Sequence, residues 1–244
     1  MDPEYGRQYR ALYERHWWWR AREAVILRVL RGLPQLQKGE GTGHILDVGC
    51  GDGLFFDRLA EFGDVEGVEP DAALVSDRPD RRARITIGPF DASYQPGHSF
   101  RSILLLDVLE HLDDPVAALH HAALLLERDG VVVVTVPAFR ALWTTHDEIN
   151  HHRTRYTERT LSALAAAAGL RLSHMEYFFH WTFAAKMAQR GLERVVRPRP
   201  AAPRVPPAPI NAALYAASRL EYALLRPLHL PFGSSLLMVA DRAW

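Results

Sequence analysis

The stretch Ile45-Leu46-Asp47-Val48-Gly49-Cys50-Gly51-Asp52-Gly53 decides the fold of this chain. An apolar strand runs into three glycines at alternate positions, and an amphipathic stretch over 54–62 follows them. Glycine tolerates positive φ and lets a ligand lie against bare backbone, and a helix N-terminus offers unpaired N–H groups. The dinucleotide-binding pattern G-x-G-x-x-G would need a glycine at position 54, which is Leu. The spacing D-x-G-x-G-x-G therefore predicts a ligand-binding loop of another kind.

Composition argues against several classes of protein. The 244 residues are 48% hydrophobic and 24% charged, as in an ordinary globular protein, and the formal net charge of zero argues against a general nucleic-acid binder. The single cysteine, Cys50, allows no intramolecular disulfide and fits a reducing compartment. The chain opens without the apolar segment of a signal peptide, and no apolar run reaches the roughly 18 residues that a membrane span needs. We therefore expect a cytoplasmic protein with no transmembrane span and no nucleic-acid partner.

Strand and helix patterns alternate along the first half of the chain. The run Val131-Val132-Val133-Val134-Thr135-Val136 is apolar without alternation, which predicts a strand buried on both faces. Such alternation is typical of a parallel, doubly wound sheet. The patterns predict strands at 44–49, 65–69, 84–88, 102–107 and 131–136, and helices at 54–62, 71–77 and 115–127.

The second half adds a helix, two strands and an insertion. Thr157 is a suitable N-cap for a helix through 168, and Gly169 a suitable stop. Strands are expected at 171–179 and 235–240, with helices at 181–196 and 211–225 between them. Six of the 16 prolines lie in 197–209, which should be extended. We expect three parts: a helical leader (1–40), a core (41–179 and 233–244) and a helical, Pro-rich insertion (180–232).

The glycine loop together with Glu69 resembles the cofactor site of class I S-adenosylmethionine-dependent methyltransferases. The resemblance covers about 43–175 and implies a Rossmann-like sheet of seven strands, with S-adenosylmethionine as cofactor and S-adenosylhomocysteine as its product. Glu69, 20 residues after Gly49, would accept hydrogen bonds from both ribose hydroxyls. By the same resemblance the loop residues that cradle the cofactor are Asp47, Gly49, Cys50, Gly51 and Gly53.

Two further segments bear on the same cofactor. Leu106-Asp107-Val108-Leu109-Glu110-His111 resembles the segment after the family's fourth strand, which implies that Asp107 and Val108 lie beside the methionine part and His111 near the pocket. His111 could equally cap a helix or support another residue. The family's acid after the third strand is replaced by Pro89, so adenine recognition would fall to the backbone of Phe90 or to a shifted Asp91.

The polar stretch 143–157 resembles one subgroup's pattern h-D-x-x-x-x-H-x-x-R-Y-T. It has no hydrophobic period, and it follows a buried strand where loops usually carry function. His152 is the first candidate for a general base and His111 the second, since histidine titrates near neutral pH. Histidines and an aspartate also suggest zinc, but methyl transfer needs no metal, and we expect none. The expected acceptor-binding residues here are His146, Arg155 and Tyr156.

The leader His16-Trp17-Trp18-Trp19-Arg20-Ala21-Arg22 resembles the aromatic-then-arginine leader of ubiquinone-type O-methyltransferases. Adjacent helical residues point in different directions, so three successive tryptophans cannot all face one core. The resemblance implies that Arg22 pairs with the cofactor carboxylate, and we expect Trp18 to contact the acceptor. A packing helix with arginines reaching to solvent is the alternative.

Residues 186–204 carry an excess of five positive charges. The segment 181–204 could rest on an anionic membrane surface, act as a lid over an acidic or lipid-linked substrate, or simply pack on the sheet. The expected function is methyl transfer to a small-molecule or lipid-linked acceptor, with O- or N-methylation favoured over C-methylation, in a monomer or homodimer. The alternative is a cofactor-binding, non-catalytic partner in a biosynthetic complex.

Overall fold

A computed structural model describes residues 3–37, 43–75, 78–196 and 203–243 of the chain. Seven strands form one sheet in the order β3-β2-β1-β4-β5-β7-β6. This order, with helices between the strands, confirms the predicted Rossmann-like, doubly wound fold. The strands are β1 (His44–Val48), β2 (Asp64–Glu69), β3 (Ile85–Ile87), β4 (Phe100–Leu106), β5 (Leu126–Pro137), β6 (Leu170–Phe178) and β7 (Ser235–Arg242).

Strand β1 lies in the middle of the first five strands, which pair in parallel. Its last residue, Val48, is in register with Val68 of β2 and with Leu105 of β4. Because parallel strands end at the same edge of a sheet, the residues that follow β1, β2 and β4 come together there. The register therefore brings together the three loops that the sequence assigned to the cofactor.

Nine helices occur in the described residues, and they confirm both the helical leader and the helical insertion. The first two helices form the leader, and the last two lie between β6 and β7, where the insertion was predicted. Residues 197–202 of the Pro-rich stretch lie outside the described residues. The helices are α1 (Pro3–Arg15), α2 (Trp17–Gly32), α3 (Phe56–Leu59), α4 (Pro79–Arg82), α5 (Pro115–Leu125), α6 (Thr145–Ile149), α7 (Glu158–Ala167), α8 (His180–Val196) and α9 (Ala208–Leu225).

Two of the predicted helices are much shorter than expected. The stretch 54–62 contains only the four residues of α3, because the positive φ angles of Gly51 and Gly53 hold the preceding residues in turns. The stretch 71–77 contains a 3-10 turn, Ala72–Leu74, capped by the Asp71 side chain, which accepts a hydrogen bond from the Ala73 N–H at 2.9 Å. Amphipathic spacing alone did not show that these helices would be so short.

Strand β5 begins earlier than predicted. Leu126 pairs with Phe100, and Val131 with Ser102, so residues 127–130 bulge out of the register. A Cβ on Gly130 would lie 2.8 Å from the carbonyl oxygen of Phe100. Gly130 therefore serves a close approach of the two backbones.

The predicted boundaries of α7 are confirmed. The helix begins directly after Thr157, and Gly169 follows its end with φ +76°. A left-handed residue after the last turn is how many helices end, and glycine adopts it without steric cost. Here local sequence alone determined the structure.

The described residues fall into two compact units. The glycine-loop unit lies within Leu30–Val136, Glu158–Met175 and Met238–Trp244, and the leader–insertion unit within Met1–Val29, Pro137–Thr157 and Glu176–Leu237. The predicted three-part division remains a prediction. None of the described helices is both long and apolar enough to cross a membrane.

Gly67→Ala should destabilise the protein. A Cβ there would lie 2.4 Å from the Cys50 Sγ atom and 2.8 Å from Cζ of the buried Phe56 ring. Such overpacking costs about 1–3 kcal/mol, which urea unfolding would measure. Gly88→Ala is the matched control, because its Cβ would meet nothing within 4 Å, and it should lose no stability. Equal effects of the two changes would contradict this account of Gly67.

Candidate functional site

The glycine loop presents bare backbone to open space. Gly49, Gly51 and Gly53 have φ angles of +68°, +54° and +64°. A Cβ on Gly49 would lie 2.9 Å from the Val108 Cγ2 atom, whereas one on Gly51 would meet nothing within 4 Å. Gly49 thus allows the loop to approach Val108, and Gly51 leaves room beside its backbone. That room fits a ligand that lies directly against the main chain.

Glu69 holds this loop in place. Its side chain is buried, and its two carboxylate oxygens accept hydrogen bonds from the backbone N–H groups of Gly51 and Asp71, each at 2.9 Å. Burial raises the pKa of this carboxyl group above its usual value. A carboxylate oxygen can accept more than one hydrogen bond, so Glu69 can hold the loop and also accept from a ligand hydroxyl.

The other predicted cofactor residues of this unit take distinct positions. Asp107 follows β4 with φ +59°, an angle that aspartate tolerates better than most residues, and its Oδ1 atom accepts from the Thr135 hydroxyl at 3.1 Å. Asp47 is buried in β1. Burial raises the pKa of the Cys50 thiol, which disfavours the reactive thiolate form. His111 is half-buried in a 3-10 turn.

Asp91 is engaged by its own loop. Its Oδ1 atom accepts hydrogen bonds from the Ser93 hydroxyl at 2.6 Å and from the Ser93 N–H at 2.8 Å, which lower the pKa of the Asp91 carboxyl group. The ring of Phe90 lies 5.0 Å from that of His121. The role of Phe90 and Asp91 toward adenine remains a prediction.

In the leader–insertion unit, the polar stretch after β5 is organised around the fully buried Asp147. Its Oδ1 atom accepts from the Arg155 Nε and the His152 Nδ1, both at 2.8 Å. Its Oδ2 atom accepts from the other arm of Arg155 at 2.9 Å and from the Thr144 N–H at 2.8 Å. Burial opposes ionisation of Asp147, but the hydrogen bonds from His152 and Arg155 outweigh it and hold the pKa of the carboxyl group below its usual value.

This arrangement sets the tautomer of His152. An ionised carboxylate only accepts hydrogen bonds, so the Nδ1 atom of His152 carries a proton toward Asp147. Nε2 is then the basic nitrogen of the neutral ring. A buried aspartate that orients a histidine in this way is the arrangement that general-base catalysis uses.

The remaining predicted residues of this stretch have structural contacts. His146 bonds to the side chain of Asn150 at 3.1 Å, and burial lowers the pKa of His146 to about 3, so its ring is neutral near pH 7. Arg155 also donates to the Ala138 carbonyl oxygen at 2.9 Å. Tyr156 is buried, and its backbone bonds to residues 137 and 139. Their contact with an acceptor remains a prediction.

The three leader tryptophans occupy different surroundings. Trp17 lies against Trp181, with ring centres 5.3 Å apart, whereas Trp18 lies 5.8 Å from Phe179 and Trp19 is buried. The guanidinium of Arg22 is buried, 5.9 Å from the centre of the Trp18 ring. The pairing of Arg22 with a cofactor carboxylate and the contact of Trp18 with an acceptor remain predictions.

The sequence analysis did not recognise the importance of two residues in this unit, Asp147 and Lys186. Asp147 entered it only as the aspartate of the aligned pattern. The available signal was its spacing of five and eight residues from His152 and Arg155. Lys186 was counted only as one charge among several. Burial and the charge of Arg155 lower the pKa of Lys186 to about 8, while Asp147 opposes this shift.

Helix α8 forms hydrogen bonds with residues 140–145, at the start of the polar stretch after β5. Glu193 accepts from the Thr145 N–H and hydroxyl, both at 3.1 Å. Arg190 donates to the carbonyl oxygens of Arg140 and Trp143 at 2.8 and 3.2 Å. The insertion is therefore part of the unit that contains His152.

A family model described as "Methyltransferase domain" matches residues 17–175. The match covers more than half of the chain, from the leader tryptophans to β6. The chain therefore belongs to this family of methyltransferase domains.

Similar proteins agree with this assignment. The chain is 30% identical over 120 residues to a ubiquinone biosynthesis O-methyltransferase of Azorhizobium caulinodans, which is 46% of this chain and 44% of that relative. The chain thus matches less than half the length of this curated relative.

Two solved structures share the fold. One is from the complex of the Haloferax volcanii Trm112 methyltransferase activator with a methyltransferase (TM-score 0.60, 18% identity, 99% of this chain and 95% of that one). The other is an S-adenosylmethionine-dependent methyltransferase from Archaeoglobus fulgidus (TM-score 0.56, 15% identity, 90% and 94%). At these identities the likeness concerns the fold alone.

Asp147→Ala should lower the free energy of unfolding by about 3–5 kcal/mol, because it leaves the Arg155 charge buried without its partner. The folded-state pKa of Asp147 is depressed, so its stabilisation is fully present above about pH 4 and is lost as the pH falls through that folded-state pKa. Urea unfolding at several pH values would show both effects.

The control for this prediction is Asp80→Ala. Asp80 pairs with Arg78 at 2.8 Å on the surface, where ion pairs stabilise little. This variant should unfold much like the wild type. If the two variants lost the same stability, the buried network would not carry the stability assigned to it.

Proposed function

We propose that this protein transfers a methyl group from S-adenosylmethionine to a hydroxyl group of a small-molecule or lipid-linked acceptor. The observation that carries the proposal is the buried Asp147–His152 pair. A hydroxyl must lose its proton when it accepts a methyl group, and an oriented neutral histidine can take that proton. The name of the matched O-methyltransferase supports a hydroxyl acceptor.

The glycine-loop unit fits the proposed cofactor. The room beside Gly51 and the Glu69 carboxylate suit a nucleoside that lies on the backbone and donates ribose hydroxyls. When bound, S-adenosylmethionine supplies a methyl group that is already electrophilic. The residues proposed to hold it are Asp47, Gly49, Cys50, Gly51, Gly53, Glu69, Asp107 and Val108, with Arg22 on its carboxylate.

His152 is the proposed base. Its Nε2 atom would take the proton of the acceptor hydroxyl while the methyl group passes from the cofactor sulfur to that oxygen and S-adenosylhomocysteine is left. The Asp147 carboxylate, 2.8 Å from Nδ1, stabilises the imidazolium that results. Arg155 keeps Asp147 ionised and fixes its orientation through two hydrogen bonds. Asp147 and Arg155 are thus positioning residues.

The non-catalytic alternative makes a different prediction. A partner protein that only binds cofactor would not need an oriented base. Loss of turnover on changing His152, with cofactor binding retained, favours the enzyme.

Gly51→Val should abolish binding of S-adenosylmethionine and of its demethylated product, because the side chain fills the space beside the loop. Calorimetry on the wild type should give micromolar affinity, about −8 kcal/mol. Gly97→Val is matched to it: Gly97 also has positive φ, +79°, and open space around its missing Cβ. It carries the same backbone strain and should bind normally. Tight binding of NAD without binding of S-adenosylmethionine would contradict the proposal.

His152→Ala should lower turnover by about 10²–10⁴-fold, the contribution of a positioned base. Cofactor affinity should be nearly unchanged, because the residue acts on the acceptor. The assay is transfer of a labelled methyl group to a panel of phenols, catechols and their prenylated derivatives. His111→Ala separates the two candidate bases. Full activity of His152→Ala would show that the base is elsewhere or that none is used.

A further inference from the structure

The insertion displays an unusual amount of apolar surface. Eleven large hydrophobic side chains are exposed among the described residues, and nine of them lie between 187 and 232. The two others, Leu124 and Leu172, are isolated on α5 and β6. Scattered exposed leucines are ordinary, but a concentration in one segment marks an interaction surface.

Helix α9 carries the longest part of this surface. Ile210, Ala213, Ala217, Leu220 and Leu224 follow one another at intervals of three and four residues, which places them on one stripe of the helix. All five are exposed, and Leu220 and Leu224 are 60% and 62% exposed. Arg219 is the single charged residue exposed on α9. The outer face of this helix is therefore apolar along most of its length.

Helix α8 also carries exposed apolar side chains. Leu192, Val195 and Val196 near its end are 63%, 82% and 62% exposed. The two helices belong to the same unit and touch through Trp181, whose indole N–H donates to the Ser218 hydroxyl at 3.2 Å. The exposed apolar side chains thus lie on two helices that contact each other within one unit.

The insertion carries far more basic than acidic residues. Residues 180–232 contain eight basic residues, Lys186 and seven arginines, but only two acidic residues, Glu193 and Glu221. Both carboxylates accept hydrogen bonds within the unit, Glu193 from the Thr145 hydroxyl and Glu221 from the Trp181 N–H. Arg204 and Arg219 are exposed. The surface therefore combines apolar side chains with positive charge and offers no free acid.

We propose that the exposed faces of α8 and α9 lie on the surface of an anionic lipid bilayer. A bilayer accepts leucine and valine side chains at the headgroup boundary, and its anionic headgroups supply negative charge for the exposed Arg204 and Arg219. A second copy packed on this face through the same helices would bring the exposed Arg204 and Arg219 of both copies together, with no exposed acid among the described residues of the insertion. Charge complementarity thus favours lipid. The sequence suggested contact through 181–204, and the structure moves the main contact onto α9.

The test is co-sedimentation of the whole protein with vesicles of phosphatidylcholine alone or mixed with phosphatidylglycerol. Wild-type protein should bind the anionic vesicles at least about tenfold more than the neutral ones, and added salt should weaken the binding. The double change Leu220→Ser with Leu224→Ser should reduce binding about tenfold or more. The double change Leu124→Ser with Leu172→Ser, on exposed leucines elsewhere, should bind like the wild type.

Two measurements make the outcomes decisive. Circular-dichroism melting and calorimetry with S-adenosylmethionine should show that both double variants are folded and bind cofactor as the wild type does. Wild-type protein that stays in the supernatant with anionic vesicles would overturn the proposal. So would an analytical ultracentrifugation result in which the wild type is a dimer and the Leu220/Leu224 variant a monomer, because a second copy would then cover this face. Failure of cofactor binding alone would count against the methyltransferase proposal and not against this one.

Discussion

The hydrogen bond between the Gly51 N–H and the Glu69 carboxylate is the contact on which the candidate cofactor site depends. It joins the loop after β1 to the end of β2, and the parallel register of these strands makes that contact available. A loop of three left-handed glycines has many conformations in an unfolded chain, and ordering it is costly. The buried carboxylate offsets this cost by satisfying backbone donors. The same group that shapes the loop is the one that we propose to bind the ribose.

A second buried carboxylate organises the other unit in a similar way. The Asp147 carboxylate accepts hydrogen bonds from Arg155, from His152 and from the Thr144 N–H at the start of α6. These residues lie in a stretch with no hydrophobic period. Removing such a charge from water is unfavourable, so the network holds only because its hydrogen bonds and the arginine charge outweigh burial. The result is a histidine with a defined tautomer. Asp147 thus orders the loop and also orients His152, the proposed base.

The insertion uses charge differently. Its two carboxylates accept hydrogen bonds within the unit, Glu193 from Thr145 and Glu221 from the Trp181 N–H. Arg204 and Arg219 are exposed, and so are several large apolar side chains, among them Leu220 and Leu224. This distribution would be a liability for a protein surrounded by water alone, because exposed apolar faces promote association. On an anionic lipid surface the same distribution is favourable, and it would bring a lipid-linked acceptor to the unit that contains His152.

The sequence by itself determined the alternation of strands and helices, the glycine loop, the limits of α7 and the helical insertion. These follow from local rules: buried strands, positive φ at glycine, and helix caps. Only the tertiary structure decided where β5 begins, because Gly130 packs closely against the backbone of Phe100, which is distant in the sequence. It also decided that Asp91 bonds to Ser93 and that Asp147 is the centre of its network. Exposure of the α9 stripe was likewise invisible in the sequence, since a helical apolar period predicts burial against whichever element is adjacent. Hydrophobic periodicity predicts which face of a helix is apolar, but only the packed structure shows whether that face contacts protein or solvent.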